Sequence, residues 1–428
     1  MLKIGMREVC APADTGSPGA FFIAYHVRLA GYDIDFPAKE KTDYDIELLS
    51  IHHVSDYLRL ITLPKIAPIR LIGGHPMQNN PRPVIPYGDA VFIGEGETAI
   101  KSALKNIEKN GIESLKNEPG WILSKSWKPE NKIPETIIEK VLPENPAYLN
   151  YAGTRSAAWY IEIARGCPFK CSYCELGHSS YYRTHSMDYI KKMIDSINTD
   201  LSRKINVFAP DEASFAHYSE VQKLIEKKGY SSFFSSMRID TIQRFNINFA
   251  KNHLVRLGID GLTEKTRFMV NKKIKNIDVI KFFYNRISEG YTQFKIFMIF
   301  GYEWEKPEDF KEFEEMMESV RKIPYKKNIY IRIKWTPLIP QPCTPLRNNH
   351  AKYDYDMTER IKNWHEMVKT PKGIGAYIVN DGLMSEKTYN IQKILTSGDE
   401  NILFKISSQM HIGNKEGNEI GRLNVKMR

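Results

Sequence analysis

Residues 161–183 read IEIARGCPFKCSYCELGHSSYYR, and within them Cys167, Cys171 and Cys174 have the spacing C-x3-C-x2-C. An apolar, strand-like run leads in, and Gly166 and Pro168 mark the turn into a loop. The chain has five cysteines, and three of them fall between positions 167 and 174. Cysteine thiolates hold iron–sulfur clusters, and a cubane normally takes four. Three thiolates on one loop would hold three irons and leave the fourth open, as catalytic zinc keeps an open position. Zinc stays as the alternative, because His178 follows Cys174 by four residues and could complete a Cys3His site. Disulfides are not expected from an odd cysteine count behind an N-terminus, MLKIGMREVC, that lacks the pattern of a signal peptide.

Working outward, 428 residues are too many for one ordinary domain. A hydrophobic fraction of 42% suits globular cores, and no apolar run has the length of a membrane span. Reduced cysteines fit a cytoplasmic location with no membrane partner. The net charge of +10 is compatible with an anionic partner such as RNA, but much of the lysine alternates with glutamate, as in PEDFKEFEEMMESVRKIPYKK. That pattern reads as solvated helix faces.

Residues 1–112 alternate strand-like and helix-like segments, the pattern of an open parallel sheet with helices on both faces. Ligands on such sheets bind beyond the carboxyl ends of the strands. The sharpest local features there are Gly73-Gly74 in IRLIGGHP and Gly94-Glu95-Gly96-Glu97 in DAVFIGEGE. Glycine lets the backbone approach a ligand, although turns need it too. Residues 113–152 read as a hairpin, GWILSKSW with ETIIEKV, and a linker. Residues 153–346 alternate strands and helices again, and 347–428 form a small C-terminal extension expected to cap the preceding domain.

The cysteine loop, including the aromatic Tyr173 before the last cysteine, resembles the cluster loop of the radical S-adenosylmethionine (SAM) superfamily. The resemblance continues through INVFAPDEASF (205–215), FFSSMRID (233–240), LVRLGIDGLTEKTRFMVNKKI (254–274), FKIFMIFGYEWEKPEDF (294–310) and IRIKWTPLIPQPCTPL (331–346). It implies a [4Fe–4S] cluster on Cys167, Cys171 and Cys174, whose open iron is chelated by SAM. It also implies a partial (β/α)6 TIM-type barrel over 153–346, in an α/β chain that opens with a Rossmann-like sheet. By the same resemblance Tyr173 lies by the SAM adenine, and Asp211 and Glu212 accept from the SAM ammonium. Ser236 and Arg238 match a Ser-x-Arg, with Arg238 on the SAM carboxylate. Asp260 stands near the ribose hydroxyls, and KTRFMVNKK closes over SAM. Gly301 admits the adenine, while the expected partner glycine is replaced by Trp304.

The order of the two glycine loops, Gly73 and Gly74 followed by Gly94 and Gly96, resembles the cobalamin-binding-type domain that precedes many radical SAM barrels. The Asp-x-His-x-x-Gly string of histidine-ligated cobalamin proteins is missing, so cobalamin bound without a histidine and a fold kept without the cofactor both stay open. His52 and His53 are expected to be loop residues. The two spare cysteines, Cys10 and Cys343, are too few for a second cluster. The activity implied is cleavage of SAM to a 5′-deoxyadenosyl radical, followed by cobalamin-dependent methylation or another modification of an unactivated carbon. The alternatives are a cobalamin-independent rearrangement, cyclisation or oxidation, and a zinc-binding protein without turnover. An electron donor such as flavodoxin or ferredoxin is the implied partner. A small molecule, a peptide or RNA would be the substrate, and no residue pattern assigns the catalytic groups that act on it.

Overall fold

Burial is nearly continuous along the central strands of the N-terminal sheet, as in IELLSI, because both faces of that sheet are covered. The computed structural model describes residues 2–9, 17–36, 42–150, 157–233, 236–247, 254–370 and 374–409. They divide into a first unit, Met1–Tyr160 with Ile197–Ser202 and Ile391–Arg428, and a second, Ile161–Ser196 with Arg203–Asn390.

In the first unit, β1 (Lys3–Val9), β2 (Asp33–Asp35), β3 (Ile46–Ile51), β4 (Ile69–Gly73), β5 (Ala90–Phe92) and β6 (Trp121–Leu123) form one sheet in the order β2-β1-β3-β4-β5-β6. All neighbours are parallel except β5 and β6. This is the open Rossmann-like sheet that the alternating pattern predicts. Ile46, Leu48, Leu71, Ala90 and Phe92 pack on one face with residues of the helices Pro18–Leu29 and Gly96–Asn110. Leu49, Ile51, Ile72, Val91 and Ile93 pack on the other, as a period of two requires.

The expected hairpin is not formed. Trp121–Leu123 joins the sheet antiparallel to β5, and Ile137 makes a separate bridge to Gly94. Both pieces satisfy the backbone around β5 rather than each other. The C-terminal extension divides: up to Asn390 it belongs to the second unit, as a cap would, and from Ile391 it returns to the first. Leu395 and Leu403 belong to the core of the first unit. Asn80 donates to the carbonyls of Thr396 (3.0 Å) and Gly398 (2.9 Å), and Arg82 pairs with Glu400 at 2.6 Å.

After β7 (Tyr148–Asn150), which pairs antiparallel with β8 (Ala158–Glu162), the chain enters the second unit. A two-residue ladder, β9 (Ala164–Arg165) with β10 (Arg183–Thr184), brackets the cysteine loop. Then come β11 (Lys204–Phe208), β12 (Ser231–Phe233), β13 (Val255–Gly258), β14 (Gln293–Phe300), β15 (Ile329–Pro337) and β16 (Ala376–Leu383). β11 and β12 are parallel, as are β13 through β16, and a parallel bridge from Met237 to Leu257 links the two runs. Besides the β9–β10 ladder, six strands among the described residues, β8 and β11 to β15, fall in the span expected of the partial barrel; β16 adds a seventh from beyond residue 346.

Burial alternates strictly along β14 and β15. Phe294, Ile296, Met298, Phe300 and Trp335 are buried. Phe313, on the helix Phe310–Arg321, meets the Trp335 ring edge-on at 5.1 Å. Trp335 also donates its indole N–H to His365 Nε2 at 2.8 Å, and burial lowers His365 to about 4.

Candidate active site

The cysteine loop starts at Gly166, whose φ is +71° and where a Cβ would sit 2.2 Å from the Tyr181 carbonyl oxygen. Only glycine permits that close approach. Further on, Ser172 donates its N–H to Val270 O at 2.9 Å, and its carbonyl accepts from Leu346 N at 3.3 Å. Asn271 Nδ2 donates to Lys170 O at 3.0 Å. The loop is therefore strung between the ends of two distant segments of the barrel.

All three thiols are free; Cys171 is buried, and Cys167 and Cys174 are half-buried. Burial pushes Cys167 up and Cys174 to about 12, so ionisation needs a bound cation. Among the described residues no three His, Cys, Asp or Glu side chains gather closely enough to hold a single ion. His178 Nε2 lies 3.1 Å from the Cys171 carbonyl oxygen and serves as its donor, which removes that nitrogen as a fourth zinc ligand. Three thiols without a fourth partner fit a cluster with one open iron.

Around the loop the structure gathers most of the expected residues. Tyr173 donates to Asp260 Oδ2 at 2.8 Å, and the buried Lys272 ammonium reaches the same oxygen. Asp260 sits just past β13 at a φ of +52°, a conformation Asp tolerates better than most residues. Burial and the neighbouring Asp260 hold the Tyr173 hydroxyl well above its usual pKa. The segment 264–276 is fixed beside it by Arg267, fully buried, which donates to Gly261 O, Ile274 O and Asn276 Oδ1. Lys272 joins this segment to Asp260; within KTRFMVNKK nothing in its spacing sets it apart from the neighbouring lysines.

Arg238 is placed differently from expectation. Its guanidinium forks onto Asp240, Nε to Oδ1 at 2.9 Å and one NH2 nitrogen to Oδ2 at 2.7 Å. The other terminal nitrogen donates to Cys171 Sγ at 3.2 Å, and the group lies 3.9 Å from the centre of the Phe169 ring. It faces the Cys171 thiol, with its planar fork already filled. Asp240, two residues on in MRID, was the missed partner; its spacing was the available signal.

Asp211 is buried and accepts the Arg238 backbone N–H at 2.9 Å, with Ser214 on its other oxygen. Burial raises its pKa. It cross-links two strand ends. Glu212 is wholly buried and accepts from Tyr218 OH at 3.0 Å, so it is turned into the core. Ser236 is exposed. Gly301 has φ +82° and only a distant neighbour, Lys352 O at 3.5 Å, over the position of a Cβ. Its N–H donates to Glu305 Oε2 at 2.8 Å. Burial lifts Glu305 to about 7 against the opposite pull of its backbone donors. Trp304 stacks on Tyr302 at 5.2 Å and joins the apolar cluster that also contacts Tyr173. The tryptophan that replaces the expected glycine thus fills the wall behind the cysteine loop. Cys343 is half-buried and its thiol is pushed up to about 11 by burial; Cys10 lies outside the described residues.

On the first unit's sheet the glycines divide. A Cβ on Gly74 would lie 2.0 Å from Ile51 O, one on Gly94 2.3 Å from Ile137 O, and one on Gly96 2.8 Å from Ile23 Cδ1. Only at Gly73, among these four, is there nothing within 4 Å. Three of the four glycines therefore serve the chain's own packing, and Gly73 alone borders open space. His53 caps the following turn through Nδ1, 3.3 Å from Ser55 N, whereas His52 Nε2 is buried without a hydrogen-bond partner.

Residues 161–317 match the model of the radical SAM superfamily, the span that holds the thiol loop and its surrounding carboxylates and cations. The chain carries a radical SAM domain. The radical SAM fold binds SAM and a [4Fe–4S] cluster. An uncharacterized protein of Methanocaldococcus jannaschii, MJ0966, is 22% identical over 399 residues, covering 90% of this chain and 82% of that protein. The hopanoid C-3 methylase of Methylococcus capsulatus is 24% identical over 259 residues, covering 53% of this chain and 48% of the methylase. In fold the chain is similar to the radical SAM methyltransferase TsrM from Kitasatospora setae. A structure of TsrM with tryptophan and a SAM analogue bound gives a TM-score of 0.59 at 12% identity, covering 87% of this chain and 78% of that one. Another holds cobalamin and a [4Fe–4S] cluster and gives 0.57 at 13% identity, covering 87% of this chain and 76% of that one. Among the described residues no helix is long and apolar enough to cross a membrane.

Proposed function

We propose that this radical SAM protein holds one [4Fe–4S] cluster on Cys167, Cys171 and Cys174, binds SAM at its open iron, and transfers a methyl group to, or otherwise modifies, an unactivated carbon. The observation that supports it best is the loop itself: three free thiols with His178 tied to the backbone and Arg238 donating to Cys171 Sγ. When bound, the cluster supplies the electron that cleaves SAM to methionine and a 5′-deoxyadenosyl radical. The chain's own residues hold and orient the reactants. Tyr173, Asp260 and Lys272 form a fixed polar wall beside the loop, and Asp260 Oδ1 remains available for a ribose hydroxyl. Gly301 leaves its strand end open to a flat base. Trp304, Tyr302 and Val270 exclude water behind Tyr173, which protects a reactive intermediate from solvent.

The N-terminal sheet is proposed to carry cobalamin, which would supply the methyl group, at the open edge by Gly73. TsrM, similar over most of this chain, supports this. The packing of Gly74, Gly94 and Gly96 against the chain itself favours the second reading, in which the sheet is kept without the cofactor. Anaerobic reconstitution decides between them. The protein should bind iron and sulfide at one cluster per chain, cleave SAM under dithionite, and retain cobalamin through gel filtration. Zinc in place of iron overturns the whole proposal; iron with SAM cleavage and no retained cobalamin selects the second reading.

A further inference from the structure

The second unit's sheet has one face buried under helices and one face turned away from them. In (β/α) barrels the inward positions are normally filled by packed, branched aliphatic side chains. Here the corresponding positions on β13, β14 and β15 are Arg256, Lys295, Phe297, Tyr330, Arg332 and Lys334, half-buried or exposed, while their neighbours in sequence are buried. The register sets three cations side by side, Arg256 against Lys295 and Lys295 against Arg332. Like charges directly opposite one another on neighbouring strands destabilise a sheet. Asp381, reaching Lys295 at 2.5 Å, answers one of them. Arg332 and Lys334 make no ion pair among the described residues. Tyr330 and Tyr377, the next pair along the same face, stack at 5.1 Å and 15° and wall the row on one side.

We propose, building on the radical SAM reading, that this row binds an anionic group of the substrate, a phosphate or carboxylate, with Arg332 and Lys334 as its principal ligands. Strand spacing puts Arg256 and Arg332 about 10 Å apart, with Lys334 about 7 Å further along its strand. That span suits a group the size of a diphosphate or a small polycarboxylate. Arginine matches either oxyanion through its planar fork, and lysine adds a point charge. The row lies on the same sheet as the strand ends that carry Asp260 and Gly301, so an anchored substrate would extend from it toward the reactive end.

The test uses the full-length, anaerobically reconstituted protein and titration calorimetry at constant ionic strength, with inorganic pyrophosphate and citrate as separate probes. Saturable binding of at least one probe is expected, and its preference assigns phosphate or carboxylate chemistry. The double variant Arg332→Gln/Lys334→Gln should weaken that binding about tenfold or more. Arg332→Lys, which keeps the charge, should recover part of the loss and shows that the strand still folds. Lys105→Gln/Lys109→Gln, the same charge change at two exposed positions of a first-unit helix, should leave the titration as in wild type. The proposal is overturned if neither probe binds, if the Arg332/Lys334 variant binds as wild type does, or if the control variant loses as much. SAM cleavage by the wild-type preparation is read separately. Its absence would sink the radical reading without touching the titration, which needs no turnover.

Discussion

The cysteine loop and the glycine edge of the first sheet look alike in sequence, since each is a turn with small residues after an apolar strand. In the structure they behave differently. The loop is met by groups from far along the chain, Arg238 at the Cys171 thiol and the Leu346 N–H at the Ser172 carbonyl. The glycine edge is crossed by the protein's own backbone, at Ile51 and Ile137. Side chains that carry chemistry announce a ligand; glycines announce only that something comes close, and that something can be the chain itself.

The sharpest way to break this contrast is to remove a thiol. Cys171→Ala should abolish the iron–sulfur absorbance completely, whereas Cys343→Ala should leave it intact. Iron retained by the Cys171 variant would show that the loop is no more a ligand site than the glycine edge.

On the other side, Gly94→Val and Gly74→Val should destabilise the first unit by about 3 kcal/mol, because each φ lies near +130–140° and backbone blocks the new Cβ. Gly73→Val should fold normally and release any cobalamin that the wild type retains. Thermal melts with gel filtration in the presence of cobalamin check both. A stable Gly94→Val protein would contradict the packing account.

Behind the loop's scaffold, His365 should respond to acid. Burial lowers its pKa to about 4 in the folded protein from the ordinary 6.5, so between those values the unfolded chain binds the extra proton. Stability is then full above 6.5 and declines as pH falls toward 4. A loss of up to about 2 kcal/mol from pH 7 to 5 is expected from this group, measured by urea unfolding and reduced in His365→Phe. An unchanged slope in that variant would assign the acid sensitivity elsewhere.

The smallest effect separates two roles for Arg238. As a cationic donor to Cys171 Sγ it favours the reduced, more negative cluster. Arg238→Gln should move the midpoint to more negative potential by about 60 mV, a tenfold change for one electron, even without SAM. An unchanged potential with a raised SAM requirement would return Arg238 to the SAM carboxylate.

The parallel sheets and the cysteine loop were legible because apolar alternation and cysteine spacing are local signals. Side-chain partnerships were less so. Glu212 looked like its neighbour Asp211, yet only the fold shows that Tyr218 takes it inward. Asp240 and Lys272 carried charges at ordinary spacing, and their importance depends on what Arg238 and Asp260 face. The hairpin failed as an expectation because GWILSKSW and ETIIEKV each found β5's surroundings a better partner than one another.

The return of Ile391–Gln409 to the first unit has a consequence for synthesis. Leu395 and Leu403, with Ile391, Ile402 and Ile406 beside them, complete a core whose remaining members lie between Val9 and Ile133. Domains usually form in the order in which they leave the ribosome. Here the earliest segment emerges with one flank uncovered and must wait for the whole barrel to be translated before that flank is sealed. A chain cut after residue 346 would keep the cysteine loop, Gly301 and the glycine edge, and still expose that apolar flank to aggregation.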